Sequence, residues 1–343
     1  MTGTRLQTIQ KQTAALLTAA LLLTLAGCGL GGGPRARWGF TPKQYYGDPN
    51  NLGTHSYGFG GSEGYGIMYT LRGGTIDPDH LRGVADLTRH TYDKARKTLL
   101  KRGKTFRVGP AFEMTTNTVR FDYPPGWDNL PPNEKEKIAH EAALIIAPAV
   151  AYFSSIWHEM LTWKGLRFAL IEPEHESAFS WDDLYSNALG AKLAAHALRG
   201  GPLTTKEYNQ AMTELIRGEM DALEVVSRER ALEILESVRG TWFTDNKLIK
   251  RHMNLGFEDG QITPQPIPGY TDQPPASIPL PTFDGLEQYG LSADYTIHSP
   301  YFEAGALRRM AETDDRVRPL IDYPLIMEKI RQEAVEKYDY IID

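Results

Sequence analysis

The stretch 142–163 constrains the fold most, because its residues are apolar on nearly every side when they are placed on a helix. Such a helix belongs either in the middle of a bundle or inside a membrane. Pro148, two serines and the polar pair His158 and Glu159 favour the bundle. The sequence therefore predicts a mainly α fold, α+β with a few short strands, in which a single large helical domain surrounds a buried central helix.

Capping signals predict where the helices begin. Asp77 followed by Pro78 is typical of a helix start, and Asn133 indicates the start of the central helix, which Pro148 is expected to kink. Ser180, with Asp183 three residues later, predicts a third start. The spacing of apolar residues in 204–240 indicates two more amphipathic helices. "LRFALIEP", residues 166–173, is predicted to be a strand.

The first residues have the composition of an export signal. A basic start is followed by an apolar run and by "LAGC", which ends at Cys28, the only cysteine in the chain. This pattern is that of a lipobox, so we expect Cys28 to carry the lipid, including palmitate, after a signal peptide 1–27 is removed. A tether 28–37 would follow, then a mainly helical core domain 38–260, and finally a proline-rich strap and C-terminal helical tail 261–343.

Charge and composition exclude several functions. Without residues 1–27 the chain keeps 35 basic residues against 43 acidic ones, and it has no basic run. We therefore expect no nucleic acid partner and no electrostatic attachment to anionic lipid. "GSEGYG" lacks the Lys-Ser/Thr of a phosphate-binding loop, so no nucleotide is expected. The expected partners are the membrane, through the N-terminal lipid anchor, and envelope proteins.

With one cysteine the chain has no internal disulfide, and any metal must use His, Asp or Glu ligands. Gly29, rather than Asp, follows the predicted lipid position. In a Gram-negative host this favours the outer membrane, with the lipid-anchored protein facing the periplasm.

Glu159 lies in the apolar stretch, and an ionised carboxylate that is buried without a partner is too costly to keep. Three kinds of partner are open: a metal held with His158, an arginine, or a hydrogen-bond network. The arginines available are Arg72, Arg82 and Arg120. The HExxH zinc motif is incomplete, because Thr162 occupies the position of its second histidine.

His80 lies in the first turn of its helix, on the face that the pattern predicts to be inward. The helix dipole at that end is expected to keep its imidazole neutral and able to bind metal. His90 shares a face with Asp79, Asp86 and Asp93, and this face is predicted to be solvated. His55 lies in a glycine-rich loop, where functional residues are common.

These residues suggest a catalytic zinc site, or a site for another divalent metal, with His55, His80 and His158 as ligands and Glu159 as general base. The alternative is structural, without any cofactor: His80 is a core histidine, Asp77 only caps its helix, and His55 is a loop residue. A second candidate is the charge-rich segment "EPEHESAFSWDD", residues 172–183, which could hold a hard cation or could be a solvated turn in which Asp183 caps a helix.

Several stretches together resemble a bacterial family. They are "GYGIMYTLRGGTIDPDHLRG", "SIWHEMLTWKG", "SAFSWDDLYSNALGAKLAAH" and "GTWFTDNKLIKRHMNLGFEDGQITPQPIPG", between about residues 52 and 269. With the lipobox they resemble the lipoproteins known as domain of unknown function 4056. The resemblance implies an exported lipoprotein of the Gram-negative envelope, without an established activity. The polar residues inside the matching motifs are His55, His80, His158, Glu159, Asp183, Tyr185 and Asn187.

The sequence therefore predicts an envelope lipoprotein that is a metal-dependent hydrolase of an envelope component, either a peptide or a lipid ester. Its polar pocket would also contain Asp77, Asp183, Tyr185 and Asn187. The alternative is a non-catalytic structural or binding lipoprotein in envelope assembly, in which His158 and Glu159 hold helices together through an arginine.

Overall fold

Seven α-helices lie in the part of the chain that the computed structural model describes, which is residues 46–57, 62–64, 66–109, 114–168, 172–173, 177–244, 248–313 and 315–342. They are α1 (Pro78–Leu100), α2 (Pro132–Trp163), α3 (Asp183–Ala197), α4 (Thr205–Ala222), α5 (Arg228–Glu236), α6 (Phe302–Met310) and α7 (Pro319–Tyr338). The predicted mainly helical fold with a few short strands is confirmed.

The strands are short and form small separate sheets. The sheets are β1 (Met68–Thr70) with β2 (Gly74–Ile76), β3 (Thr105–Val108) with β4 (Thr116–Asp122) and β10 (Ser292–His298), β5 (Arg167–Phe168) with β6 (Glu172–Pro173), β7 (Lys250–Arg251) with β11 (Ile341–Ile342), and β8 (Gln261–Ile262) with β9 (Ile278–Pro279). All pairs are antiparallel except β7 with β11. The single strand predicted at 166–173 is thus wrong, because Arg167–Phe168 and Glu172–Pro173 are two short strands that pair antiparallel with each other.

Helix α2 is the buried central helix that the apolar stretch predicts. It starts at Pro132, one residue before the predicted cap Asn133, because proline fits the first helical position without needing a hydrogen-bond partner. It continues through Pro148 to its last turn. Among the described residues it is the one helix long and apolar enough to cross a membrane, and 61% of its apolar window is buried inside the structure. Its apolar residues thus face protein along most of that window.

Helix α3 begins at Asp183, three residues later than predicted. The backbone N–H of Ser180 donates to Asp183 Oδ2 at 2.7 Å, which is half of the predicted capping box, and the Ser180 hydroxyl donates to Asp182 Oδ1 at 2.8 Å. These bonds hold residues 180–182 in a turn before the helix, so two adjacent carboxylates lie at its N-terminus.

Helix α1 packs against both α2 and α3. At the contact with α3, a Cβ added to Gly190 would lie 2.0 Å from the carbonyl oxygen of Leu81. Only glycine allows the two backbones to approach so closely. This contact fixes the distance between the first turns of α1 and the N-terminal half of α3.

The proline-rich segment leaves β8 and returns to β9 as a long loop with turns, because these two strands pair antiparallel with each other, so the segment is not the extended strap that its composition predicts. The backbone N–H of Ile267 donates to Tyr69 Oη at 2.7 Å, and Tyr185 Oη donates to the carbonyl of Ala276 at 2.5 Å. The C-terminal part adds to the same core, since Tyr323 Oη donates to the carbonyl of Phe153 in α2 at 2.9 Å.

Candidate functional site

The starts of α1 and α3 meet beside the C-terminal half of α2. Asp77 caps α1 as predicted, because its side chain accepts a hydrogen bond from the backbone N–H of Asp79 at 2.7 Å. Its own backbone N–H donates to Ser186 Oγ of α3 at 2.9 Å. The cap of one helix is thereby fixed to the first turn of the other.

His80 joins the same two helices through its side chain. Its Nδ1 lies 3.0 Å from Asp183 Oδ1, and the imidazole is 33% exposed while the Asp183 carboxylate is 4% exposed. A carboxylate at Nδ1 fixes the orientation of the ring and leaves Nε2 for another partner. The ring thus lies between a buried carboxylate and the solvent.

Three side chains at this junction can hold one ion. Ligand atoms of Asp77, His80 and Asp182 all lie within 4.8 Å of one another, and we call these residues the Asp-His-Asp cluster. Imidazole and carboxylate ligands without a thiolate suit divalent metals such as Zn²⁺, Fe²⁺ or Mn²⁺.

Glu159 enters the junction from the last turns of α2. It is buried, and its Oε2 accepts a hydrogen bond from the backbone N–H of Phe179 at 3.0 Å. His158 precedes it and is half-buried. Asp183 and His80 are close enough to act on the charge of Glu159.

Two carboxyl groups at this junction, Glu159 and Asp182, retain their protons at unusually high pH. Burial, followed by the charge of Asp183, raises the pKa of Glu159 from 4.5 to about 8, although His158 and His80 act in the opposite direction. Burial together with Asp183 and Asp77 raises the pKa of Asp182 from 3.8 to about 7. The negative charge of neighbouring carboxylates therefore favours the protonated forms of Glu159 and Asp182, and a bound cation would favour their ionised forms instead.

The sequence-based expectation of a neutral His80 is wrong for the metal-free protein. Burial by itself lowers the pKa of His80, but the carboxylates of Asp77 and Asp183 outweigh it and raise this pKa well above its ordinary value of 6.5. A metal at this ring would therefore have to displace a proton.

The raised pKa of Glu159 predicts how stability depends on pH. Between about pH 4.5 and pH 8 the unfolded carboxyl has lost its proton while the folded one keeps it. Unfolding then releases a proton, so this group lowers the free energy of unfolding by up to about 1.4 kcal/mol per pH unit as pH rises through that window.

Glu159→Gln removes this titration, and its amide oxygen can still accept from Phe179 N–H. We expect urea unfolding of the metal-free variant to depend less on pH than that of the natural chain, with the difference growing between pH 5 and pH 8. Parallel pH curves for the two proteins would contradict the raised pKa.

His55 lies in a different place from the Asp-His-Asp cluster. Its Nε2 lies 3.0 Å from Asp86 Oδ1 and its Nδ1 lies 3.4 Å from Glu63 Oε1, so carboxylates flank both ring nitrogens. Asp86 is six residues beyond His80, or about 9 Å along α1. Of the three histidines in the predicted zinc site, His80 alone belongs to the cluster found among the described residues.

The prediction of a solvated face with His90, Asp79, Asp86 and Asp93 is wrong in part. Asp79 and Asp86 are buried, while His90 is half-buried and Asp93 is exposed. His55 of the preceding loop covers Asp86. The exposure of Asp86 was predicted from the spacing of residues along the helix alone, and this spacing contains no information about a loop that packs across the helix.

The arginines proposed as partners of Glu159 lie elsewhere. Arg82 donates to the carbonyls of Gly64 and Leu52, Arg72 lies near the carbonyls of Pro274 and Ala222, and Arg120 is exposed on β4. Within the described residues, the hydrogen-bond donor to Glu159 is thus the backbone N–H of Phe179 and not a guanidinium.

The remaining predicted residues have different positions. Tyr185 is buried and holds the proline-rich segment through Ala276. Asn187 is buried within α3. Cys28, with the predicted signal peptide and tether, and His175 of the charge-rich segment lie outside the described residues.

Asp182 is the cluster residue that the search for histidine ligands missed. The charge-rich segment had marked it as one of several acidic residues, and helix capping explained its neighbour Asp183. Asp182 lies beside His80 because it is the N-cap residue of α3. The sequence predicted the helix to start at Ser180, so Asp182 was not recognised as the cap.

The fold and site define a mainly helical protein with a carboxylate-rich, partly exposed junction of three helices. The family described as protein of unknown function (DUF4056) matches residues 42–257. The chain belongs to this family, and all three residues of the Asp-His-Asp cluster fall within the matched part. No curated protein and no solved structure matches the chain.

Proposed function

We propose that this protein is a metal-dependent hydrolase of the bacterial envelope, with the metal at the Asp-His-Asp cluster instead of at three histidines. The carrying observation is the convergence of Asp77, His80 and Asp182 within 4.8 Å, beside a Glu159 that retains a proton near neutral pH. Hydrolysis needs an acid or base of this kind next to a group that polarises the substrate.

The donors fit a divalent metal. Asp183 at His80 Nδ1 would orient the ring and leave Nε2 as the ligand atom, an arrangement common at metal sites. Bound metal would supply a Lewis acid for a carbonyl or a water molecule. Partial exposure of His80 leaves a side from which a substrate can approach.

Glu159 would act as general base, as the sequence suggested. Its pKa of about 8 lies close to neutral pH, where a group can both accept and return a proton efficiently. The hydrogen bond from Phe179 N–H to Oε2 limits the rotation of the carboxyl group and would leave Oε1 as the oxygen that accepts a proton.

Glu159→Gln tests the catalytic role. We expect the variant to keep its bound metal and to lose at least about 100-fold in turnover, the lower range of general acid and base catalysis. The assay would use p-nitrophenyl esters of increasing chain length and a peptide pool, with protein beginning at Gly29, purified without a histidine tag and loaded with Zn²⁺ or Mn²⁺. Equal turnover in both proteins would exclude Glu159 as the base.

The proposed location is the periplasmic face of the outer membrane, with lipid on Cys28. Cells grown with a palmitate analogue should then label the natural chain but not Cys28→Ser, because the lipid requires the cysteine thiol. A labelled Cys28→Ser protein would contradict the assignment.

A non-catalytic role in envelope assembly is the second candidate, and one contact favours it. The hydrogen bond from Phe179 N–H to Glu159 ties α2 to the turn before α3, so in this role replacing Glu159 should lower the stability of the fold. A Glu159→Gln protein that is much less stable at pH 5, where Glu159 is protonated, and a natural protein that binds no metal would together favour this candidate.

A further inference from the structure

A cleft at the end of α1 is lined by basic residues. Its cavity has a volume of about 330 Å³, and its lining includes Lys94 and Lys97 of α1, Lys101 directly after α1, and Arg107 of β3. The lysines are three and four residues apart, so they follow one side of the helix. The cleft therefore collects four positive charges.

A second cavity, of about 180 Å³, lies on the outer face of the three-stranded sheet. Its lining includes Arg107, Arg120 and Arg316, with Asp294 as the acidic residue. Thr105 and Arg107 line both cavities, so the two form one surface. We call it the basic face, and its cations are Lys94, Lys97, Lys101, Arg107, Arg120 and Arg316.

Charge on the basic face is poorly compensated. Its neighbours Arg96 and Arg102 pair with Glu136 and Asp128. By contrast, among the ion pairs of the described residues, the basic face contributes one, between Arg316 and the adjacent Asp315 at 3.3 Å. This concentration of positive charge occurs in a chain whose net charge is −6.

Exposed apolar side chains lie at one end of the same sheet. Phe302 is 91% exposed and Met114 is 66% exposed. The backbone N–H of Met114 donates to Tyr301 Oη at 3.3 Å, which places Met114 beside the start of α6. Met114 lies two residues before β4 and Phe302 lies four residues after β10. This end of β4 is close to the basic face, because its first residue is two positions from Thr118, the partner of Arg107.

We propose that the basic face, with Phe302 and Met114 at its edge, docks the folded protein onto an anionic lipid bilayer. Lysine and arginine side chains are attracted by the negative headgroups, and an aromatic side chain beside them enters the boundary between headgroups and acyl chains. The sequence-based expectation of no electrostatic attachment considered runs of charge, whereas the fold assembles charges from residues 94 to 316.

A bilayer fits this surface better than a soluble polyanion does. A polyanion needs the cations but has no use for a phenylalanine that is almost fully exposed, and large exposed apolar side chains commonly mark a contact. The surface is also within reach of a membrane if Cys28 carries lipid, since residues 28–46 could span at most about 60 Å.

Vesicle binding tests the proposal without the lipid anchor. Protein beginning at Gly29 should sediment with vesicles of phosphatidylglycerol mixed with phosphatidylcholine, but not with phosphatidylcholine alone, and high salt should release it. Lys97→Gln with Lys101→Gln should weaken partitioning roughly 25-fold, at roughly fivefold per lysine. The matched control is Lys206→Gln with Lys337→Gln, which removes two exposed lysines elsewhere and should change partitioning little.

The orientation has a separate test, because the chain from Gly29 onward contains no cysteine. A dye sensitive to polarity on Phe302→Cys should shift to shorter wavelength when anionic vesicles are added, whereas the same dye on Val335→Cys of α7 should not. Failure to bind anionic vesicles, equal weakening by the two lysine pairs, or equal shifts at the two labelled sites would each overturn the proposal.

Discussion

Replacing His80 by alanine is expected to abolish binding of a divalent metal. The imidazole is the one nitrogen donor of the Asp-His-Asp cluster, and without it two carboxylates remain, which hold transition metals weakly. The loss of affinity should exceed the roughly 10-fold to 100-fold typical of losing a residue that only orients a ligand. Elemental analysis and calorimetric titration with Zn²⁺ and Mn²⁺ measure it.

Two further variants make this result specific. Asp183→Asn keeps the shape but weakens the orientation of His80, so we expect a loss of about 10-fold to 100-fold. His298→Ala removes an exposed histidine of β10 and should retain full metal content. If the natural protein binds metal and His80→Ala binds it equally well, the cluster is not the metal site.

Gly190→Ala is expected to cause the largest loss of stability from a small change. The new Cβ would lie 2.0 Å from the Leu81 carbonyl oxygen, so α1 and α3 must move apart. Overpacking of this kind costs about 3 kcal/mol, and here the neighbour is backbone, which cannot rotate away. Since Leu81 follows His80, the same shift should also lengthen the distance between His80 and Asp183 and weaken metal binding.

Gly218→Ala is the matched control, because it makes the same substitution inside helix α4, where a Cβ would meet nothing within 4 Å. Alanine is the better helix former, so this variant should gain about 0.5 to 1 kcal/mol. Urea unfolding measures both changes. Equal effects at the two positions would show that the close approach of α1 and α3 does not limit stability.

Local signals in the sequence were sufficient for most helices. Asp77 with Pro78 placed the start of α1 because a cap and a proline act through neighbouring residues alone. The apolar residues of α2 identified the central helix for the same reason. The starts at Asn133 and Ser180 were less well placed, since a proline in the first turn and a turn before the helix both compete with a simple capping pattern.

The site depended on contacts that the sequence does not record. His80 and Asp77 were found because both lie in one helical turn. Asp182 lies beside them only because Gly190 allows α3 to pack closely against α1. His55 is not part of the cluster, because its loop places it against Asp86. The basic face was missed for a similar reason: its cations come from one helix and its end, two strands and a loop, which lie far apart in the chain.

The three-stranded sheet has a consequence for the time at which the protein folds. Its middle strand β4 pairs with β10, and Asp122 lies opposite Ser292, far along the chain. A contact between such distant residues forms slowly, because a long loop must close first. If this chain crosses a membrane unfolded, N-terminus first, the sheet can be completed only after β10 has emerged, when most of the chain is already across. The pairing of β4 with β10 would therefore keep the sheet from forming before transport is nearly over.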